Sequence, residues 1–296
     1  MPSRLFRCTA SLLLAGLLGA CVTLEKAPAL APVAAAAPVR TPPKVVLALG
    51  GGAARGFAHV GVIKTLESHG IVPDMVIGTS AGAVVGSLYA AGYSGFDLQK
   101  QAMKLEEGSI TDWALPDRGV LKGEALQKFI NEAVRQQPLE KLKKPFAAVA
   151  TDLRSGEAVV FRQGNTGMAV RASSSVPGVF QPVAISGREY VDGGLVSPVP
   201  VRAARAMGGE VVIAVDISSK PNNGKVSGLM EVLLQTFTIM GSHLGKEELK
   251  EADVVIRPEI SGVGATDFKS RNDAILEGER AAQAALPLIR AKLGAK

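Results

Sequence analysis

The residue best placed to do covalent chemistry is Ser80, inside Gly78-Thr79-Ser80-Ala81-Gly82. An apolar run, Met75-Val76-Ile77, precedes it, and a small-residue helical pattern from Ala83 to Ala91 follows. A short strand that turns sharply into a helix lifts a serine onto the tip of the turn, with its oxygen exposed and its backbone strained. Gly78 and Gly82 flank that turn because side chains there would clash across it. A helix opening at Ser80 also directs its positive end at a developing negative charge. By itself the pentapeptide is a weak signal, since a motif needs structural context.

Two further stretches supply that context. Gly50-Gly51-Gly52-Ala53-Ala54-Arg55-Gly56 follows the apolar run Val45 to Leu49 and precedes a helical pattern of Phe57, Val60, Ile63 and Leu66. Strand, glycine loop and helix together can cradle a phosphate or an oxyanion on bare backbone N–H groups. A P-loop is excluded because no Gly-Lys-Ser/Thr follows. A dinucleotide loop wants an acid at the end of the second strand, where this chain has Gly78. Two glycine turns closing strands at one sheet edge would bring Gly51 and Gly52 near Ser80. The third stretch, Arg188 to Gly194, is a strand ending in Asp192 and followed by Gly193 and Gly194. Two glycines leave that carboxylate open to close approach by another backbone segment, although Asp-Gly is also a common turn between strands.

The elements that must position these groups alternate along the chain. Strands are expected at Pro145 to Leu153, Glu157 to Phe161, Glu210 to Asp216 and Ala252 to Arg257, and helices at Gly123 to Arg135, Ala169 to Ser175, Val199 to Met207 and Asp273 to Lys292. This alternation predicts one α/β domain, a three-layer α/β/α arrangement with a mainly parallel central sheet and helices on both faces. Ser173, Ser174 and Ser175 lack flanking glycines and read as helix-end serines bonded to backbone. Val226 to Leu249 carries Met230, Leu233, Leu234, Phe237, Met240 and Leu244 on one helical face. Core packing is the expected use of that stripe, and lipid binding the alternative. Glu106 to Asp117 reads as a surface loop anchored by Trp113, with a lid or lipid contact as the alternative.

Composition removes several function classes. The 296 residues carry 33 Lys and Arg against 27 Asp and Glu, with aromatics at 4%. Scattered basic residues with little aromatic interleaving do not indicate nucleic-acid binding. The two cysteines, Cys8 and Cys21, both fall near the start, and the three histidines are too dispersed for a zinc signature. No calcium loop is present, so no metal or cofactor is expected.

Residues 1–20 read as a secretory signal, with Arg4 and Arg7 ahead of an apolar Leu12 to Leu18 too short to span a membrane. Leu18-Gly19-Ala20-Cys21 resembles a bacterial lipobox. That resemblance implies cleavage before Cys21, diacylation of its thiol and, with Val22 next, export to the periplasmic face of the outer membrane. Residues 21–43 then form the lipidated cysteine and an Ala/Pro-rich tether, and residues 44–296 the catalytic domain.

Together, Gly50 to Gly56, Gly78 to Gly82 and Asp192-Gly193-Gly194, with Arg171 to Phe180 between, resemble the patatin-like phospholipase family, and bacterial members of its neuropathy-target-esterase branch look closest. The resemblance covers about residues 44–205. It implies a Ser-Asp dyad in which Ser80 is the nucleophile and Asp192 the proton acceptor. It also implies an oxyanion loop of Gly51, Gly52 and Ala53 with Arg55 and Gly56 in support, and membrane phospholipid or lysophospholipid as substrate. Ala53 stands where the family commonly has glycine, and at positive φ its methyl would cost roughly 1 kcal/mol. Within catalysis the alternative is an α/β-hydrolase triad, whose chain order is met by Ser80, Asp192 and His243. Outside catalysis the alternative is an inactive, membrane-tethered lipid-binding protein. His59, one turn into the first helix, is expected to pack rather than titrate.

Overall fold

The computed structural model describes residues 42–113, 118–219, 221, 228–260, 262–264 and 266–294. The expected signal segment, Cys21 and nearly all of the expected tether lie outside the described residues, as does Leu115. Among the described residues ten strands form: β1 (Val45–Leu49), β2 (Met75–Thr79), β3 (Gly119–Leu121), β4 (Phe146–Asp152), β5 (Ala158–Phe161), β6 (Gly178–Phe180), β7 (Val183–Ile185), β8 (Arg188–Asp192), β9 (Val211–Val215) and β10 (Val254–Ile256). Eight α-helices accompany them among the described residues: α1 (Phe57–Ser68), α2 (Ala81–Ala91), α3 (Gly95–Lys104), α4 (Glu124–Ala133), α5 (Thr166–Ser173), α6 (Val201–Ala206), α7 (Leu229–Glu248) and α8 (Arg271–Leu293).

The continuous apolar strands are buried along their whole length, as a parallel sheet covered on both faces requires. The central sheet runs β10-β9-β1-β2-β4-β8-β7, with β5 also paired to β4. From β10 to β4 every pairing is parallel. Beyond β4 every pairing is antiparallel. The three-layer α/β/α arrangement is therefore present, with a parallel majority and an antiparallel margin. Because side chains alternate along a strand, Leu47, Leu49, Val76 and Ile213 join the large core with α1, α2 and α8. Their neighbours Val46, Ala48, Ile77 and Val212 join a smaller core with Val201 and Ala204 of α6.

The two covering layers are unequal. On the thick side α1 crosses α8 so closely that a Cβ at Gly61 would stand 1.9 Å from Ile275 O, and one at Gly278 2.0 Å from Ala58 O. No side chain fits at such a crossing, so both positions need glycine. The other side is thinner. Its long helix α7 forms where periodicity placed it, but the expectation that its apolar stripe packs in the core is wrong. Leu229 is 77% exposed, and Val232, Leu233 and Met240 are about half exposed. Only its last turns are rooted, through Gly241, Gly245 and Glu248. Trp113 does not anchor its loop either, because its side chain is 79% exposed. Periodicity reveals that residues share a face and cannot reveal whether anything covers it.

Candidate active site

β4 assembles the site. Along one of its edges β2 pairs in parallel as far as Thr79 opposite Val149. The next residue of β4, Ala150, pairs with Asp192, the last residue of antiparallel β8. β5 occupies the other edge. Two strands of opposite direction thus meet head-on along β4, and the residues at their C-terminal ends, Ser80 and Asp192, are brought together across 112 residues of sequence.

Ser80 has φ 53° and ψ −122° at the N-terminus of α2, a left-handed conformation that a serine adopts only under constraint. The constraints are visible. A Cβ at Gly78 would lie 2.3 Å from Gly82 O, and one at Gly82 2.1 Å from Leu49 O, so the turn closes on bare backbone. Ser173 completes the clamp: its Oγ accepts the Ser80 N–H at 2.9 Å and donates to Val149 O at 2.5 Å. Ser173 does bond to backbone as expected of a helix-end serine, but that backbone belongs to Ser80. No local motif marks it, because the contact spans 93 residues.

Asp192 is 1% exposed. Its Oδ1 accepts the Gly194 N–H at 2.7 Å. The Oδ2 atom is buried and accepts no hydrogen bond. Burial pushes the carboxyl up to about 6, against the opposing pulls of the Ser80 hydroxyl and the Gly194 N–H. No hydrogen bond of full geometry joins Ser80 Oγ to Asp192, whose Oδ1 accepts from Gly194 and whose Oδ2 has no partner. The carboxylate is held in place by Asp192 N–H donating to Ser175 O and by Thr151 Oγ1 donating to Asp192 O. Gly193 fits where a Cβ would meet Val149 O at 2.2 Å.

The glycine loop lies against the serine, and a Cβ at Gly51 would come within 3.2 Å of Ser80 Cβ. The Gly51 N–H is already committed to Pro198 O at 2.9 Å, so Gly51 cannot offer its amide to an oxyanion while that bond holds. Gly52 and Ala53 carry no such bond among the described residues, and both line the cavity that holds Ser80. Ala53 has φ 51°, so its methyl sits in the left-handed region where glycine is favoured. Arg55 Nε donates to Ile217 O, and Gly56 fits close under Ala81. His59 is fully buried and its Nε2–H donates to Gly50 O at 2.8 Å, the tautomer a carbonyl partner dictates. Burial pushes His59 down to about 4, so it stays neutral and braces the loop.

A cavity of about 440 Å³ opens over these groups, walled largely by apolar side chains including Val84, Leu88, Leu126, Phe129, Phe180 and Phe237. Ser174 lines it too, with a buried Oγ that has no partner. His243 is exposed on α7 and is not part of the lining, so the histidine the triad alternative requires stands outside the site. Among the described residues no cluster of three or more metal-binding side chains exists. No helix there is long and apolar enough to cross a membrane.

Comparison with known proteins agrees with this fold. An uncharacterized NTE family protein of Mycobacterium tuberculosis is 37% identical over 179 residues, covering 60% of this chain and 49% of that protein. The mouse patatin-like phospholipase domain-containing protein 6 is 33% identical over 184 residues, covering 60% of this chain and 14% of that one. The chain thus spans at most about half the length of these curated relatives. In fold it is similar to VipD from Legionella pneumophila, with a TM-score of 0.57 at 14% identity over 83% of this chain and 67% of that one. The profile of patatin-like phospholipases matches residues 47–205, which contain the glycine loop, the strained serine and the Asp-Gly-Gly turn. The chain belongs to the patatin-like phospholipase family.

Proposed function

We propose that this protein is a serine acyl hydrolase cleaving the acyl esters of phospholipids or lysophospholipids. The observation that carries the reading is a buried, unpartnered carboxylate oxygen, Asp192 Oδ2, in one apolar cavity with a strained serine. An isolated buried carboxylate is costly to maintain, and it becomes useful when a proton arrives in the transition state. Asp192 takes the Ser80 proton as Oγ attacks the ester carbonyl, and the amides of Gly52 and Ala53 receive the oxyanion. Each such donor contributes about 3 kcal/mol where its geometry is good. Collapse of the tetrahedral intermediate breaks the ester C–O bond, and Asp192 returns its proton to the departing alcohol. Water, deprotonated by the same carboxylate, then hydrolyses the acyl-enzyme and regenerates Ser80. A carboxyl near 6 is suited to this work because a general base is most effective close to the operating pH. The apolar walls suit a fatty acyl chain.

A fluorophosphonate probe should label the protein covalently, and Ser80→Ala should abolish labelling while leaving the fold intact. A well-folded wild-type chain that takes no label would end the reading. Acylation at Cys21 and residence on the periplasmic face of the outer membrane belong to the same proposal. Membrane lipid would then serve as both anchor and substrate. Palmitate incorporation that persists in Cys21→Ala would defeat that part alone.

A further inference from the structure

The first half of α7 is an apolar helix that the described residues leave largely exposed. Leu229 is 77% exposed, and Met230, Val232, Leu233 and Leu234 range from 37% to 49%. A soluble surface helix normally sets such a face against a core and turns charges to water. Here Glu231 is the one charged residue from Leu229 to Ser242. The hydroxyls of Thr236 and Thr238 are turned inward, donating to Val232 O and Leu234 O of their own helix. Polar groups satisfied within the helix are what a hydrocarbon environment demands.

This face is continuous with the cavity. Leu234 and Phe237 of α7 form part of the cavity wall, so one helix contacts both the site and the exterior. Trp113, whose indole is also exposed, is joined to α7 through the small sheet. Trp113 pairs through its backbone with Leu121 in β3, and β3 pairs with β6 through Gly119 and Gly178. Gly178 in turn lies against Met230 of α7, where a Cβ would approach its Cε to 3.1 Å. An exposed tryptophan beside an apolar helix fits the boundary between headgroups and acyl chains.

We propose that α7 and Trp113 dock the domain on a lipid surface, so that an ester-bearing lipid passes from the bilayer into the cavity along α7. The proposal rests on the acyl-ester reading of that cavity. The far end of α7 is fixed for this role: Glu248 Oε1 accepts from Ser197 Oγ at 2.8 Å and from the Arg202 N–H at 3.2 Å. The attachment point does not oppose it. If Cys21 is acylated, the 22 residues from Val22 to Pro43 reach at most about 70 Å extended. A domain of this size is only about 45 Å across. Either side of the domain can therefore meet the bilayer. A second copy seated on α7 would instead cover the helix that walls the cavity.

Trp113 is the sole tryptophan, so it reports on this face alone. Full-length protein mixed with phosphatidylcholine–phosphatidylglycerol vesicles should show a blue-shifted emission, quenched when the acyl chains carry bromine. Acylation-defective Cys21→Ala should show the same quenching. Leu229→Glu with Val232→Glu should weaken vesicle partitioning by at least roughly tenfold, remove the quenching and leave short-ester hydrolysis unchanged, since neither residue lines the cavity. Emission equal in brominated and unbrominated vesicles would overturn the proposal, as would quenching that survives the double substitution. A lipid-free dimer that the double substitution dissolves would assign the face to a second copy and overturn it equally. Quenching without any ester hydrolysis would leave the docking surface standing and end the hydrolase reading.

Discussion

The turn at Ser80 and the helix α7 border the same cavity and are built on opposite physical terms. Around Ser80 the backbone itself is the packing material, and the glycines on either side have no room for a methyl group. One serine is forced to φ 53°, and distant groups on α5 and β4 hold it there. Along α7 the side chains are large and apolar, and the described residues leave much of the first half exposed. Strain confined by close packing keeps catalytic atoms where they are needed. Apolar surface left open is a standing affinity for something outside the molecule. The difference separates a part of the protein held rigid by packing from a part whose apolar face lies open to solvent.

Three substitutions would break or sharpen that contrast, in descending order of effect. Gly82→Ala places a methyl about where Leu49 O already stands. It should destabilise the fold by more than about 3 kcal/mol, seen as loss of soluble protein or a large fall in the urea midpoint. A mild effect would mean that the turn is not locked. Asp192→Asn comes next and tests the cost of the buried charge. The carboxyl binds its proton more tightly folded, at about 6, than its ordinary 3.8. Its contribution to stability is therefore complete below pH 4 and is lost as pH rises through 6, where ionisation must occur inside the protein. At pH 8 the Asn variant should be more stable than wild type by about 1 to 3 kcal/mol, an advantage that shrinks as pH falls below 6. The same variant should be inactive, and wild-type kcat/KM should climb through pH 6 as the base ionises. Thermal melts at pH 5 and pH 8 check the first claim, and a pH–rate profile the second. The smallest effect is expected on α7, where Leu229→Ser should change stability by less than about 0.5 kcal/mol. A larger loss in urea unfolding would show that α7 is covered after all.

Much of the geometry of the candidate site was legible in sequence because its steric requirements are local. A strand running into Gly-x-Ser-x-Gly, a glycine loop after another strand, and an aspartate followed by two glycines each write steric demands into neighbouring residues. Ala53 was singled out only by the family resemblance, and the backbone there does adopt positive φ. The Gly51 amide was not legible, because its partner Pro198 lies on a distant turn. Ser173 bonds to backbone, as its helix-end setting suggested, but which backbone was not legible, because Ser80 and Val149 lie far from it in sequence.

The sequence by itself determined the alternation of strands and helices, the strand-to-turn-to-helix setting of Ser80, and the presence at Asp192 of a carboxylate that two glycines leave open to another backbone segment. These follow from side-chain period and glycine sterics, which act over a few residues. Only the tertiary structure decided that β2 and β8 end against one another on β4, which makes a pair of two separated residues. It also decided that α7 stands uncovered while the equally apolar strands are sealed. Burial depends on which other elements arrive at a surface, and no single segment carries that information.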